Sequence, residues 1–292
     1  MKNLYIIFGA NGFMGKRIST QFQKQGDILE LDIHNSDITS FKNLKETADA
    51  INTKYSEYNK FIINAAGIMD AKLSFKEPSM FYMVNGSSLI NIIDFGKLLV
   101  NMKSLLHLSS ETVYGSGLNL CETDPAIPTH PYGISKIISE EIIRMNKTNF
   151  SCISVRLPII VGSDQAIDNP MTIFLKEAQK DKTITVFNSG EHIRKFLHVD
   201  DVIDVLWSIL KLDIKGNIFM NSPGDSCSMM DLAKLTRSLI GKEVKIVDVS
   251  SDRQAFTLTS NSDLFESYVP NFKYKNITEI LKKVKKDLAF SD

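Results

Sequence analysis

A chain of 292 residues can bury a large core as one domain or two interlocked ones, and 43% apolar with 23% charged residues is the balance of a globular protein. Thirty-four basic residues cancel thirty-four acidic ones, so no field draws the chain to nucleic acid, and no apolar run approaches a membrane span. Cys121, Cys152 and Cys227 are odd in number and lack metal-ligand spacing, which reads as reduced thiols in a cytoplasmic protein with no metal site.

Leu4–Phe8 is a continuous apolar run, the pattern of a strand buried on both faces of a parallel sheet. It leads into Gly9-Ala10-Asn11-Gly12-Phe13-Met14-Gly15 and a helix over Lys16–Lys24. Glycines at a strand-to-helix turn let the backbone approach a pyrophosphate seated on the helix N-terminus. A second strand, Ile28–Asp32, ends in a carboxylate 20 residues beyond Gly12. That is about the ~20-residue distance expected for the acid that binds an adenosine ribose. Asp32 accepts both ribose hydroxyls of NAD and repels the 2′-phosphate of NADP, and Ile33-His34-Asn35 supply no Arg to offset it. The plainer alternative is a strand-end turn residue.

Strand and helix keep alternating. Phe41–Thr53 predicts a helix, and Lys60–Ile63 a buried strand ending in Asn64-Ala65-Ala66-Gly67, where small side chains leave room for a flat cofactor. One long helix is predicted over Ser79–Asn101, with Asn85 either solvated or turned inward onto backbone. Leu105–Leu108 is a strand, with His107 as core packing, that runs into Ser109-Ser110-Glu111-Thr112-Val113-Tyr114-Gly115.

Pro131-Tyr132-Gly133-Ile134-Ser135-Lys136 opens an amphipathic helix, with proline in the first turn where its missing N–H costs nothing. Tyr132 and Lys136, four apart, project from one face. A phenol titrates near pH ~10. A fixed ammonium one turn away favours the phenolate and lowers that value, which makes the pair a proton shuttle. Taken alone, the pair is far more often an ordinary surface Tyr and Lys. In order behind a glycine turn, an acidic strand end and a serine turn, it is far more specific.

The chain resembles the extended short-chain dehydrogenase/reductases, the branch of nucleotide-sugar epimerases, dehydratases and 4-keto reductases, over essentially its whole length. The phrase ending Val113-Tyr114-Gly115, the segment Arg194-Lys195-Phe196-Leu197-His198-Val199-Asp200-Asp201 and the closing Pro270-Asn271-Phe272-Lys273-Tyr274 carry the likeness. It implies an α/β fold: a doubly wound parallel (Rossmann) sheet with a smaller, interleaved mixed α/β substrate-binding lobe. Residues 1–158 would form the dinucleotide-binding domain, to which 193–221 return, and 159–192 with 222–292 the substrate lobe.

The resemblance implies a catalytic triad of Ser110, Tyr132 and Lys136. It implies NAD held by Gly9, Asn11, Gly12, Phe13, Met14, Gly15, Asp32, Asp37, Ile38, Ala65, Ala66, Gly67, Asn85, Tyr132, Lys136 and Pro158. A nucleotide-sugar would meet Glu111, Thr112, Arg194, Arg253 and the ring of Phe187. Surface ion pairing is the plainer reading of each arginine, and core packing that of Phe187. Three positions depart from the family pattern. Asn64 stands where a His is usual, Ile159 where a substrate-binding Asn is common, and Glu111-Thr112 where dehydratases carry Asp-Glu. The expected activity is that of an NAD-dependent nucleotide-sugar epimerase of the UDP-glucose 4-epimerase type. A 4-keto reductase is the alternative, a 4,6-dehydratase ranks lower, and a non-catalytic NAD-sensing protein is the rival of another class. The helices around Ser79–Asn101 and Pro131–Lys147 carry apolar residues beyond the needs of one sheet face, and the family pairs them across a two-fold axis, which implies a homodimer.

Overall fold

The computed structural model describes residues 1–165, 169–252 and 256–288. The chain runs β1 (Asn3–Phe8), α1 (Phe13–Phe22), β2 (Asp27–Leu31), α2 (Phe41–Lys54), β3 (Asn59–Asn64), α3 (Ala71–Lys76), α4 (Pro78–Phe81), a π-helical turn (Tyr82–Ser87) and α5 (Ser88–Leu98). Next come β4 (Met102–Ser110), a 3-10 turn (Glu111–Tyr114), β5 (Gly117–Leu120), α6 (Pro131–Met145), β6 (Ser151–Leu157), β7 (Ile159–Val161), α7 (Pro170–Lys180), β8 (Thr183–Phe187) and β9 (Ile193–His198). The remainder is α8 (Val199–Leu210), β10 (Asn217–Asn221), β11 (Asp225–Ser228), α9 (Met229–Ile240), β12 (Lys245–Val249), β13 (Leu258–Ser260), α10 (Asp263–Tyr268) and α11 (Ile277–Asp287).

Two compact units emerge. The first comprises Met1–Gly115, Pro125–Leu157 and Ile203–Asn221. Its six strands lie in the order β10-β6-β4-β3-β1-β2, every neighbouring pair parallel. This is the doubly wound fold. The β1 run is apolar throughout because alternate residues face different helical layers. Leu4, Ile6 and Phe8 join Leu89, Ile92, Ile93 and Phe95 of α5 in one core. On the other face Tyr5 packs against Phe22, 5.5 Å between ring centroids, and Trp207 at 5.9 Å. The chain leaves β1 toward β2 and crosses back to β3, so the order reverses between β1 and β3, the usual ligand position at the carboxyl edge of such a sheet.

The helix predicted over Ser79–Asn101 is continuous over residues 78–98 but contains one π-helical turn. Pro78 restarts the chain as α4, since it cannot donate to the preceding turn. The π-helical turn lies between α4 and α5, around Asn85. Such turns concentrate at functional sites.

The second unit comprises Ser116–Asp124, Pro158–Val202 and Ser222–Asp292. Its mixed sheet runs β11-β9-β13-β5, with β7 also on β9, and β8 pairs β12 in a small parallel sheet. Helices α7, α9 and α11 bury Phe174, Leu175, Leu232, Ala233, Ile280 and Leu281 in its core. Lys195 on β9 is buried too, its Nζ donating to the carbonyls of Ser222 (2.6 Å) and Ser260 (3.0 Å). Among the described residues no helix is long and apolar enough to cross a membrane, and no cluster of three His, Cys, Asp or Glu is arranged to hold a metal.

Candidate active site

The glycine turn after β1 is built on close backbone approach. Gly9 has φ +75°, and a Cβ there would lie 2.7 Å from the Ala66 backbone at the end of β3. A Cβ on Gly15 would run into the Gly9 carbonyl and the Ala10 Cα. Gly12 precedes α1 in extended conformation and offers no side chain to cap it. The first-turn amides of a ten-residue helix therefore remain for an anion, with the helix dipole behind them. This cradle fits a pyrophosphate. Asn11, Phe13 and Met14 stand on the same turn.

Just beyond β2, Asp32 forms the strand-end turn that was its plainer reading. Its N–H donates to Asn35 Oδ1 (2.7 Å) and its Oδ1 accepts from the His34 N–H (3.4 Å), which makes a local turn. The Asp32 side chain is only 14% exposed, and its Oδ1 lies 3.9 Å from Nε2 of the exposed His34. Asp37 is engaged locally, accepting from the Thr39 N–H and hydroxyl, both at 2.8 Å. Ile38 is buried.

Asn85 turns inward from the π-helical turn. Its amide accepts from the Ile68 N–H (2.7 Å), donates to the Ile68 carbonyl (2.8 Å) and reaches the Ser135 hydroxyl (3.2 Å). It thereby fixes the loop Ala65–Gly67 against α6. A Cβ on Gly67 would stand 3.0 Å from Asn85 Oδ1 and 3.7 Å from Lys136 Nζ, so these three converge.

Ser110, at the end of β4, stands near Tyr132, in the first turn of α6, close enough for its hydroxyl to favour the phenolate. The Ser110 Oγ also accepts from the Thr112 hydroxyl (3.0 Å) and the Thr112 N–H (3.3 Å). With two donors already aimed at it, the oxygen has its own proton free to give away. Lys136 Nζ lies 5.9 Å from the Tyr132 ring centroid and donates to the Leu108 carbonyl at 2.8 Å.

The proton energetics reverse the sequence expectation. Burial pushes the Tyr132 phenol up to about 12, and hydrogen bonding with Ser110 draws it only partly back. Lys136 does not lower it. Burial brings the lysine itself down to about 8, with Glu140 raising it in part, and its ammonium is held by a carbonyl. The motif shows the spacing, whereas desolvation is a property of the packed site.

Two networks lie beneath the triad. His107, read from sequence as packing, is a relay. Asn64 Nδ2 donates to its Nδ1 (3.0 Å), so its Nε2–H meets the Ser139 Oγ (2.9 Å), which donates to the Lys136 carbonyl (2.7 Å). Burial keeps this ring far below the usual imidazole range, and Lys136 adds to that, so it is neutral. The second network is a buried ion pair. Glu140, one turn beyond Lys136, takes Arg156 Nη2 at 2.7 Å and Nε at 3.1 Å, and accepts from the Ser109 hydroxyl at 2.7 Å. Arg156 Nη1 continues to the Tyr114 hydroxyl (2.7 Å), which donates to Asn221 (2.8 Å). The ion pair pins α6 to β4 and β6, and the Tyr114–Asn221 link extends it to β10. An arginine inside the apolar run of β6, with a glutamate on the inner face of α6, was the available signal.

The remaining candidates lie elsewhere. Glu111 is buried and Thr112 half-buried beside Ser110. Pro158, Phe187 and Arg194 belong to the second unit. There the Arg194 guanidinium covers the Phe256 ring at 4.7 Å, and Phe187 ends β8 half-buried. Arg253 lies outside the described residues.

Residues 5–220 match the family model for the NAD dependent epimerase/dehydratase family. The chain belongs to this family. Its likeness to the Escherichia coli dTDP-4-dehydro-6-deoxyglucose reductase is 26% identity over 272 residues, covering 84% of each chain. Among solved structures, MoeE5 in complex with UDP-glucuronic acid and NAD superposes with a TM-score of 0.78 at 16% identity, covering 97% of both chains. The epimerase Mth375 of Methanothermobacter thermautotrophicus gives 0.80 at 18% identity, covering 98% of this chain and 91% of that one. Membership in the NAD dependent epimerase/dehydratase family agrees with the expected fold and with NAD as cofactor.

Proposed function

We propose that this family member is an NAD-dependent enzyme that oxidises and reduces a carbinol carbon of a nucleotide-linked sugar. The convergence of Ser110, Tyr132 and Lys136 beside the glycine cradle carries this reading. Bound NAD would supply a hydride acceptor, and its positive ring would favour the phenolate that burial opposes. Tyr132 then takes the proton from the reacting hydroxyl. Ser110, fixed as a donor by Thr112, hydrogen-bonds that oxygen and stabilises charge developing on it. In this reading Lys136 would bind the nicotinamide ribose, and Asp32 the adenosine ribose. Epimerisation requires the keto sugar to turn over and take hydride back on its other face, and Asp32 supports a retained NAD suited to this. A 4-keto reductase would use the same triad once per cofactor, and the likeness to the E. coli reductase favours it as the second reading.

Apolar side chains left exposed on α5 and α6, Ile90 (45%), Ile134 (37%) and Met145 (80%), support a homodimer through these helices. Light scattering at micromolar concentration tests it, and a monomer refutes it.

The function is tested by a panel of UDP- and dTDP-hexoses with NAD, on the unmutated chain and three variants. Tyr132→Phe keeps the ring and removes the proton, so turnover should fall at least ~10²-fold with NAD still bound. Lys136→Ala should weaken NAD binding as well, and Ser110→Ala only turnover. Near-normal turnover of Tyr132→Phe would refute the assignment. Tight NAD binding with no turnover of any sugar would favour the cofactor-sensing alternative.

A further inference from the structure

We infer that His130 is a positioning residue that sets the Tyr132 phenol for proton transfer. The inference rests on the proposed role of Tyr132. His130 occupies the N-cap of α6, and its Nδ1 accepts the Gly133 N–H at 3.0 Å. That nitrogen therefore carries no proton, and the ring is a neutral imidazole with its proton on Nε2. Small oxygen-bearing side chains cap helices best, with Asn, Asp, Ser and Thr at the head of the order. As a cap, a histidine offers nothing that these lack. What it adds is a flat ring, and that ring lies on Tyr132 with 5.9 Å between centroids and 24° between planes.

The phenol needs such a wall. Tyr132 is the second residue of α6, and helical side chains lean back toward the N-terminus, so its ring lies over the cap rather than over a following turn. Phe81 meets it edge-on, at 6.4 Å and 89°. The His130 face supplies the second wall. Together they fix the ring plane and hence where the hydroxyl stands relative to Ser110. Proton transfer is steeply sensitive to such placement, with a shift of ~1 Å costing about 10²-fold.

Two variants separate the ring from the cap. His130→Asn keeps a good cap and removes the ring. His130→Phe keeps a ring and removes the cap. If the ring positions the phenol, Asn lowers turnover at least ten-fold with NAD affinity unchanged, whereas Phe stays within about three-fold. In a Tyr132→Phe background, His130→Asn should then cost nothing further. The reverse pattern, with Asn restoring turnover and Phe abolishing it, would leave only a helix cap and overturn the inference. So would a full additional loss in the Tyr132→Phe background. A readout without substrate keeps the two readings apart. The Tyr132 ring resonances of tyrosine-labelled protein, identified by their loss in Tyr132→Phe, should move in His130→Asn, since the stacked ring's current is removed. If they stay in place, the positioning role fails. If they move while the unmutated protein turns over no UDP- or dTDP-hexose, the reaction assignment fails instead.

Discussion

Removing Arg156 tests whether the ion pair under the candidate active site holds α6 in place. Both side chains are 3% exposed, and the guanidinium gives Glu140 contacts of 2.7 and 3.1 Å. Arg156→Met keeps much of the apolar stem but leaves the carboxylate buried with the hydroxyls of Ser109 and Ser154, at 2.7 and 3.4 Å. Breaking a buried pair from one side costs about 3–5 kcal/mol. Removing both charges, as Glu140→Leu with Arg156→Met, should cost less than Arg156→Met alone, because no charge is stranded. The assay is urea unfolding followed by fluorescence. Trp207 is the single tryptophan and packs on Tyr5 and Phe22, so it reports the unit that contains the pair. The midpoint should fall with an unchanged slope. A loss under about 1 kcal/mol, the value of an exposed pair, would mean that water reaches the carboxylate and would refute the reasoning.

The Asp32 carboxylate just beyond β2, with no arginine in Ile33-His34-Asn35, predicts that the chain binds NAD(H) at least ten-fold more tightly than NADP(H), about 1.4 kcal/mol. Asp32→Ala should narrow that gap in a fluorescence titration, and equal affinities in the unmutated protein would end the argument. Burial brings Lys136 from 10.5 down to about 8, so between those values the unfolded chain binds more protons than the native one. Stability contributed by this residue therefore rises with pH across that window and is lowest below it. Lys136→Met should flatten the rise in urea midpoint measured from about pH 7.5 to 10, and an identical slope in both proteins would contradict it.

What sequence could show here was whatever is local. The β1 run, the glycine turn and the Tyr-Lys spacing are each read within one element, and each stands in the structure as a strand, a turn and one helix face. The π-helical turn around Asn85 was hidden, because it answers to a loop 17 residues away whose amide and carbonyl Asn85 satisfies. The four-residue β5 was hidden as well. Gly117-Leu118-Asn119-Leu120 has too few positions for alternation to register, and its partner is β13, more than 130 residues on. The raised phenol of Tyr132 and the relay through His107 depend on burial that no spacing encodes.

The strand order has a consequence for synthesis. β10 closes the edge of the parallel sheet against β6, yet about sixty residues separate the end of one from the start of the other. At translation speeds of about 5–20 residues per second, β6 emerges roughly 3–12 s before its neighbour. In that interval its unpaired backbone edge, with Cys152, Ile153 and Val155 fully or nearly buried in the finished protein, is open to other chains. A nascent chain halted between β6 and β10 is thus the form most in need of a chaperone.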